Sequence, residues 1–134
     1  MTIHRSKQRI DKTGEVFTPA SLVNEMLDTL PTSTFTDPST TFLDPAAGDG
    51  NFLIEILKRK LLYTDNPLQA LRTIYGVELM PDNVQEARRR LKEIAVAALS
   101  TPHPKVLKAI DKILDHNIVC ADSLSFDYEN WKPL

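Results

Sequence analysis

The stretch that decides the fold is Thr41-Phe42-Leu43-Asp44-Pro45-Ala46-Ala47-Gly48-Asp49-Gly50-Asn51-Phe52-Leu53. Its opening, Thr41–Asp44, reads as a short buried strand. Phe42 and Leu43 are adjacent and both apolar, which suits a parallel sheet covered on both faces. Residues 45–51 are small or polar and form a turn. From Phe52 to Leu62 the apolar residues Phe52, Leu53, Ile56, Leu57 and Leu61 recur at helical spacing. Strand, glycine turn and helix in succession form the first half of a βαβ unit.

The turn itself carries chemistry. Gly48 and Gly50 let backbone approach a ligand closely, and Ala46 and Ala47 keep the turn thin. A glycine turn feeding a helix N-terminus commonly receives a nucleotide-like group. Two features argue against a dinucleotide. Leu53 occupies the place of the third fingerprint glycine. Asp44 and Asp49 would bring carboxylates near a pyrophosphate, which is electrostatically wrong. Carboxylates suit a ligand with a cationic amine and hydroxyls, and S-adenosylmethionine carries an ammonium, a sulfonium, a ribose and an adenine. Gly-x-Gly taken alone is also an ordinary turn.

Working outward, residues 63–70 read as a connector containing Asn66-Pro67, and Arg72–Glu78 as a second strand with Ile74 and Val77 in the core. Pro81 stands at the first position of a long helix. Val84, Ala87, Leu91, Ile94 and Ala98 line one face of it, while Arg88, Arg89, Arg90 and Lys92 read as a solvated face. Residues 101–104 break the pattern. A short helix follows over about 105–114, then a third strand over Asn117–Ala121. Residues 122–134 show no period. Upstream, Pro19 sits in a first helical turn with Thr18 as its N-cap. Leu22, Val23, Met26, Leu27 and Leu30 continue that helix, and Pro31 ends it. Residues 32–40 read as a Ser/Thr/Asp/Pro connector and 1–13 as a basic arm.

Strands alternating with helices imply an α/β fold with a parallel sheet and right-handed crossovers. In such sheets the ligand sits beyond the carboxyl ends of the strands. Glu78 ends the second strand. It can accept ribose hydroxyls there, or serve as a solvated carboxylate favoured by the next helix dipole. Leu79 and Met80 can wall an adenine. Asp122, after the third strand, can accept from an adenine amine or cap a turn. Phe17 can stack on a ligand or staple the first helix to the core.

Composition agrees with an ordinary globular domain. Of 134 residues, 42% are apolar and 25% charged, and the net charge is −2. A binder of nucleic acid driven by bulk positive charge is not expected from that balance. A single cysteine, Cys120, excludes an internal disulfide and fits a reducing, cytoplasmic setting. The longest apolar runs fall far short of a membrane span, and no membrane partner is expected. His4, His103 and His116 have no ligand spacing with Cys120, so no metal is expected.

Four strings together resemble the cofactor-binding half of the adenine-specific (N6) DNA methyltransferases, the amino-methylating branch that includes restriction–modification enzymes. GEVFTP at 14–19 resembles that family's N-terminal cofactor motif. FLDPAAGDGNFL at 42–53 resembles its main cofactor motif at nearly every position. IYGVEL at 74–79 resembles the acidic second-strand motif, and NIVCADSL at 117–124 the more degenerate third. The resemblance implies a partial Rossmann-like class I methyltransferase sheet of three parallel strands, order 3-2-1, with flanking helices. It implies a basic arm over 1–13, an S-adenosylmethionine-binding domain over 14–124, and a tail over 125–134. The fourth strand and the catalytic motif would follow that tail.

By the same resemblance Phe17 and Thr18 touch the cofactor's methionine end or adenine. Asp44, Ala46, Gly48 and Gly50 cradle its methionine portion. Glu78 binds the ribose hydroxyls, Leu79 flanks the adenine, and Asp122 meets the adenine amine. The family's catalytic motif is Asn or Asp, then Pro-Pro, then an aromatic. Asp37-Pro38, Asp44-Pro45 and Asn66-Pro67 each lack the second proline. The expectation is therefore a cofactor-binding portion, inactive alone, with DNA as partner in the complete enzyme and weak or no DNA binding by this chain. The alternative is a truncated methyltransferase-like protein, a non-catalytic decoy or regulator that binds the cofactor or a methyltransferase partner. Strand 41–44 would be an unpaired edge, open to self-association or a partner chain unless the tail covers it.

Overall fold

The computed structural model describes residues 17–134. The basic arm over 1–13 and residues 14–16 of the first motif lie outside the described residues. Helix α1 spans Ala20–Leu27 and a single helical turn, α2, spans Ser33–Thr36. Strand β1 (Phe42–Asp44) leads through the glycine turn into α3 (Asn51–Leu61) and α4 (Pro67–Arg72). Strand β2 (Ile74–Glu78) is followed by α5 (Pro81–Ala97), α6 (Pro104–Asn117) and β3 (Ile118–Cys120). A 3₁₀ turn at Ser123–Ser125 introduces two short strands, β4 (Phe126–Asp127) and β5 (Lys132–Pro133).

The first three strands form one parallel sheet with β2 in the centre. This is the expected α/β arrangement in the expected order. Both crossovers step in the same direction across the sheet, so right-handed connections lay α3 to α6 on one face. Phe42, Ile74, Gly76 and Ile118 share that face by register. The core beneath it is made by fully buried Leu53, Leu57, Leu71, Ile74, Leu91, Ile110 and Ile118.

The opposite face carries Leu43, Tyr75, Val77 and Val119. It is covered by the tail, which is not aperiodic coil but an antiparallel β4–β5 hairpin. Trp131 meets Tyr75 and Phe126 edge-on, each at 5.0 Å, and its indole Nε1 donates to the His116 carbonyl at 2.6 Å. These contacts hold Trp131 at φ +55°, a left-handed conformation rare for a bulky side chain. The hairpin covers the sheet's face and leaves its rim open. Leu43 stays 47% exposed, and among the described residues β1 pairs only with β2.

Several local readings need correction. Pro19, not Thr18, is the N-cap of α1, with extended backbone and no side-chain cap bond. The 32–40 connector contains α2, whose Phe35 is buried and stacks on Phe42 at 5.6 Å. The 63–70 connector gives way to α4. Asn66 caps it by accepting from the Gln69 amide, and Pro67 stands at its first position. That helix consumes Arg72, so β2 begins at Ile74.

Polar side chains pin this frame from inside. Asn117, buried at the end of α6, donates to the carbonyls of Leu71, Arg72 and Ile74 at 3.2, 3.3 and 3.1 Å. Lys60 is buried on α3. Its Nζ donates to the Thr40 carbonyl at 2.7 Å and lies 5.3 Å from the centre of the Phe42 ring. Burial holds its pKa below the ordinary lysine range. No helix of the described residues is long and apolar enough to cross a membrane.

Gly76 is the tightest point of the sheet. A Cβ there would fall 2.9 Å from Leu53 Cδ1 and 3.0 Å from Ala47 Cβ. Gly76→Ala should therefore overpack the sheet–helix contact and destabilise the fold by about 1–3 kcal/mol, read as a lower urea midpoint at constant slope.

Candidate cofactor site

The carboxyl ends of the three strands carry the turn, Glu78 and Asp122. The turn is tied down at both ends. Asp44 Oδ1 accepts from the Ala46 amide at 3.0 Å, and the Ala47 amide donates to the Val77 carbonyl at 3.0 Å. Gly48 and Gly50 then adopt φ +56° and +95°, a region that costs glycine nothing and other residues strain. Gly50 also lets α5 come close, since a Cβ there would lie 3.2 Å from Ala87 Cβ.

Glu78 is buried and fully engaged. Its Oε1 accepts from the Gly48 amide at 3.2 Å. Its Oε2 accepts from the Met80 amide at 2.9 Å and from Asn83 Nδ2 at 3.0 Å. Asp44, half-buried on the neighbouring strand, is pushed above the ordinary carboxylate range. Desolvation is the main cause, the Ala46 hydrogen bond opposes it, and the Glu78 charge adds to it.

The N-terminal motif reaches the same place. A Cβ on Gly48 would be 3.4 Å from the Phe17 ring, so Phe17 lies against the turn. The Thr18 carbonyl accepts from Asn51 Nδ2 at 2.8 Å. Arg90 Nη1 in turn donates to Asn51 Oδ1 and to the Asp49 carbonyl, both at 2.9 Å, and sits 3.3 Å from Asp49 Oδ1. The arginine run is thus not one solvated face. Arg90 locks the turn to α5, and Arg88 donates to the Ile118 carbonyl. Arg88 also pairs with exposed Asp115, and Arg89 pairs across the surface with Glu86 and Glu93.

Phe17, Asp44, Gly48, Gly50 and Glu78 are therefore brought together around one turn. Ala46 stands exposed at its rim, and Leu79 is 57% exposed beside Glu78. Asp122 sits one strand further on, exposed, with Oδ1 accepting from the Leu124 amide as the cap of the 3₁₀ turn. Asn51, Asn83 and Arg90 were not singled out as site residues by sequence. Asn83 had a readable signal: it directly precedes Val84, on the stripe that α5 buries.

The family model described as N-6 DNA Methylase matches residues 3–113. This chain belongs to the N-6 DNA methylase family. It is 34% identical over 90 residues to the Type II methyltransferase M.VspI of Vibrio sp. (strain 343). That alignment takes in 67% of this chain and 19% of that protein, so the chain spans about a fifth of its relative's length. No solved structure matches.

For this N-6 DNA methylase chain, the Asp44 shift fixes a pH dependence. A carboxyl pKa raised by folding contributes stability that is complete below the unfolded value of 3.8 and is lost as pH rises through the folded value. Asp44→Asn removes that ionisation while keeping an oxygen for the Ala46 amide. The variant should melt above wild type at neutral pH, and its advantage should vanish as pH falls toward 3.8 in a series of thermal melts.

Proposed function

We propose that this chain is the S-adenosylmethionine-binding portion of an adenine-specific DNA methyltransferase. The observation that carries the reading is the pair of carboxylates, Asp44 and Glu78, at adjacent strand ends flanking a left-handed glycine turn. The Glu78 charge adds to the cost of ionising Asp44 in a partly dry site. A ligand bearing an ammonium and a sulfonium relieves that repulsion, and one bearing a ribose offers hydroxyls to Glu78. A pyrophosphate would worsen it. Phe17 against Gly48 supplies an aromatic wall, Ala46 and Gly50 leave room for the methionine portion, and Thr18 is held at the rim. Leu79 offers its exposed side chain to the adenine. Asp122 would meet the adenine amine through the lone pairs its cap bond leaves free.

Methyl transfer to DNA then requires groups outside this chain. A flipped adenine needs a hydrogen-bonding pair to orient its amine and a stacking platform. None of the three Asx-Pro pairs here is followed by the second proline and aromatic that would supply them. DNA is the partner of the complete cytoplasmic enzyme. A net charge of −2 gives this chain little hold on phosphates by itself.

The ligand is testable by calorimetry with S-adenosylhomocysteine. Glu78→Gln replaces an acceptor-only group with one that must turn an amine toward its former donors or the ligand. The expected loss is about 1–3 kcal/mol of binding free energy. Equal affinities would remove Glu78 from the site, and no heat from wild type would remove the ligand.

The rim of β1 supports a reading of it as a surface for self-association or for a partner chain. Its backbone groups face no strand among the described residues, and apolar Leu43 stands exposed beside them. Such an edge is a template for another chain. We infer that the protein self-associates through it. The scattering mass of the full chain should rise across a concentration series, and a monomer at every concentration would refute the idea.

A further inference from the structure

We propose that Asn83 is a positioning residue: it aims the Glu78 carboxylate at the ribose of the bound nucleoside. The inference rests on the cofactor reading above and deepens it. Asn83 is 0% exposed, in the first turn of α5, beside buried Val84 on the face that also carries Ala87 and Leu91. An amide at such a position costs stability unless its polar atoms find partners. Its Nδ2 finds Glu78 Oε2 at 3.0 Å, one of two donors to that oxygen among the described residues.

A carboxylate offers about four lone-pair positions. The Met80 amide and Asn83 occupy both positions on Oε2. Among the described residues Oε1 accepts one bond, from the Gly48 amide, at 3.2 Å the longest of the three. The carboxylate is thereby fixed in one rotation, with the less committed oxygen on the side of the turn where a ligand would lie. Without Asn83 each oxygen would keep a single bond, from the Met80 amide on Oε2 and from the Gly48 amide on Oε1. Asn83 supplies the third point and the second on Oε2, which limits the rotation those two bonds still allow. A hydroxyl arriving at Oε1 either takes its open position or displaces the weakest of the three bonds.

The test separates aiming from mere packing. Wild type, Asn83→Leu and Asn83→Ala are titrated calorimetrically with S-adenosylhomocysteine and with its analogue lacking both ribose hydroxyls. Leucine keeps the side-chain volume and alanine relieves any crowding, so one folded variant suffices, with thermal melts to show which is folded. Wild type should prefer the hydroxylated ligand by roughly tenfold or more. In a folded variant that preference should shrink to about twofold, because an unaimed carboxylate distinguishes the ligands poorly. A purely structural Asn83 would weaken both ligands alike and leave the ratio unchanged, which overturns the proposal. A wild type that binds both ligands equally overturns it while leaving cofactor binding intact. A wild type that binds neither removes the cofactor reading and this inference with it.

Discussion

The hydrogen bond from the Gly48 amide to Glu78 Oε1 joins residues 30 apart in sequence and is the joint on which the site depends. It ties the turn after β1 to the end of β2. With the Ala47 amide on the Val77 carbonyl, it sets how far the turn projects beyond the sheet. Gly48 presents its amide this way from a left-handed backbone, with the Phe17 ring beside it. Gly50 is left-handed too, and a side chain there would crowd Ala87. Backbone conformation thus calls for glycine at both positions, and packing calls for it again at Gly50.

A buried carboxylate held by backbone amides is not itself evidence of function, since the same bonds brace any tight turn. The electrostatics separate the two cases. Asp44 lies near Glu78 in a partly desolvated site, and its pKa is raised by burial and by that neighbour. Asparagine at position 44 could still accept the Ala46 amide without the charge. Retaining both acids leaves a standing negative potential at the mouth of the turn, which is the condition a cationic ligand exploits.

The fold was legible because its signals are local. Phe42-Leu43 beside a small-residue turn, the Phe52–Leu61 stripe and Pro81 each mark an element by period or by proline. The misses share one cause, tertiary packing that overrides weak local pattern. Ser33–Thr36 is too polar and short to announce a helix, and becomes one because Phe35 finds Phe42. Residues 126–133 have no alternation to read. They pair because Trp131, Phe126 and Tyr75 bury one another, a contact between segments far apart in sequence. At the site, the carboxylates and glycines were legible from type and position. Arg90 was not, because an arginine within a basic run carries no sign of which carbonyl it will reach.

That arginine shows how the two halves of the site are coupled. Arg90 donates to the Asp49 carbonyl and to Asn51, and Asn51 donates to the Thr18 carbonyl. The chain of contacts runs from the middle of α5, through the glycine turn, to the segment that carries Phe17. Asn83, about two turns earlier on the same helix, holds Glu78. Helix α5 therefore sets both walls of the site, the aromatic one through Arg90 and the acidic one through Asn83. A guanidinium and an amide on a helix face otherwise made of Val84, Ala87 and Leu91 are costly choices for packing alone. Their cost is offset because Arg90 satisfies the Asp49 carbonyl and Asn83 adds a bond to the Glu78 carboxylate. The price of removing either is then borne by the turn's geometry before it is felt in the core.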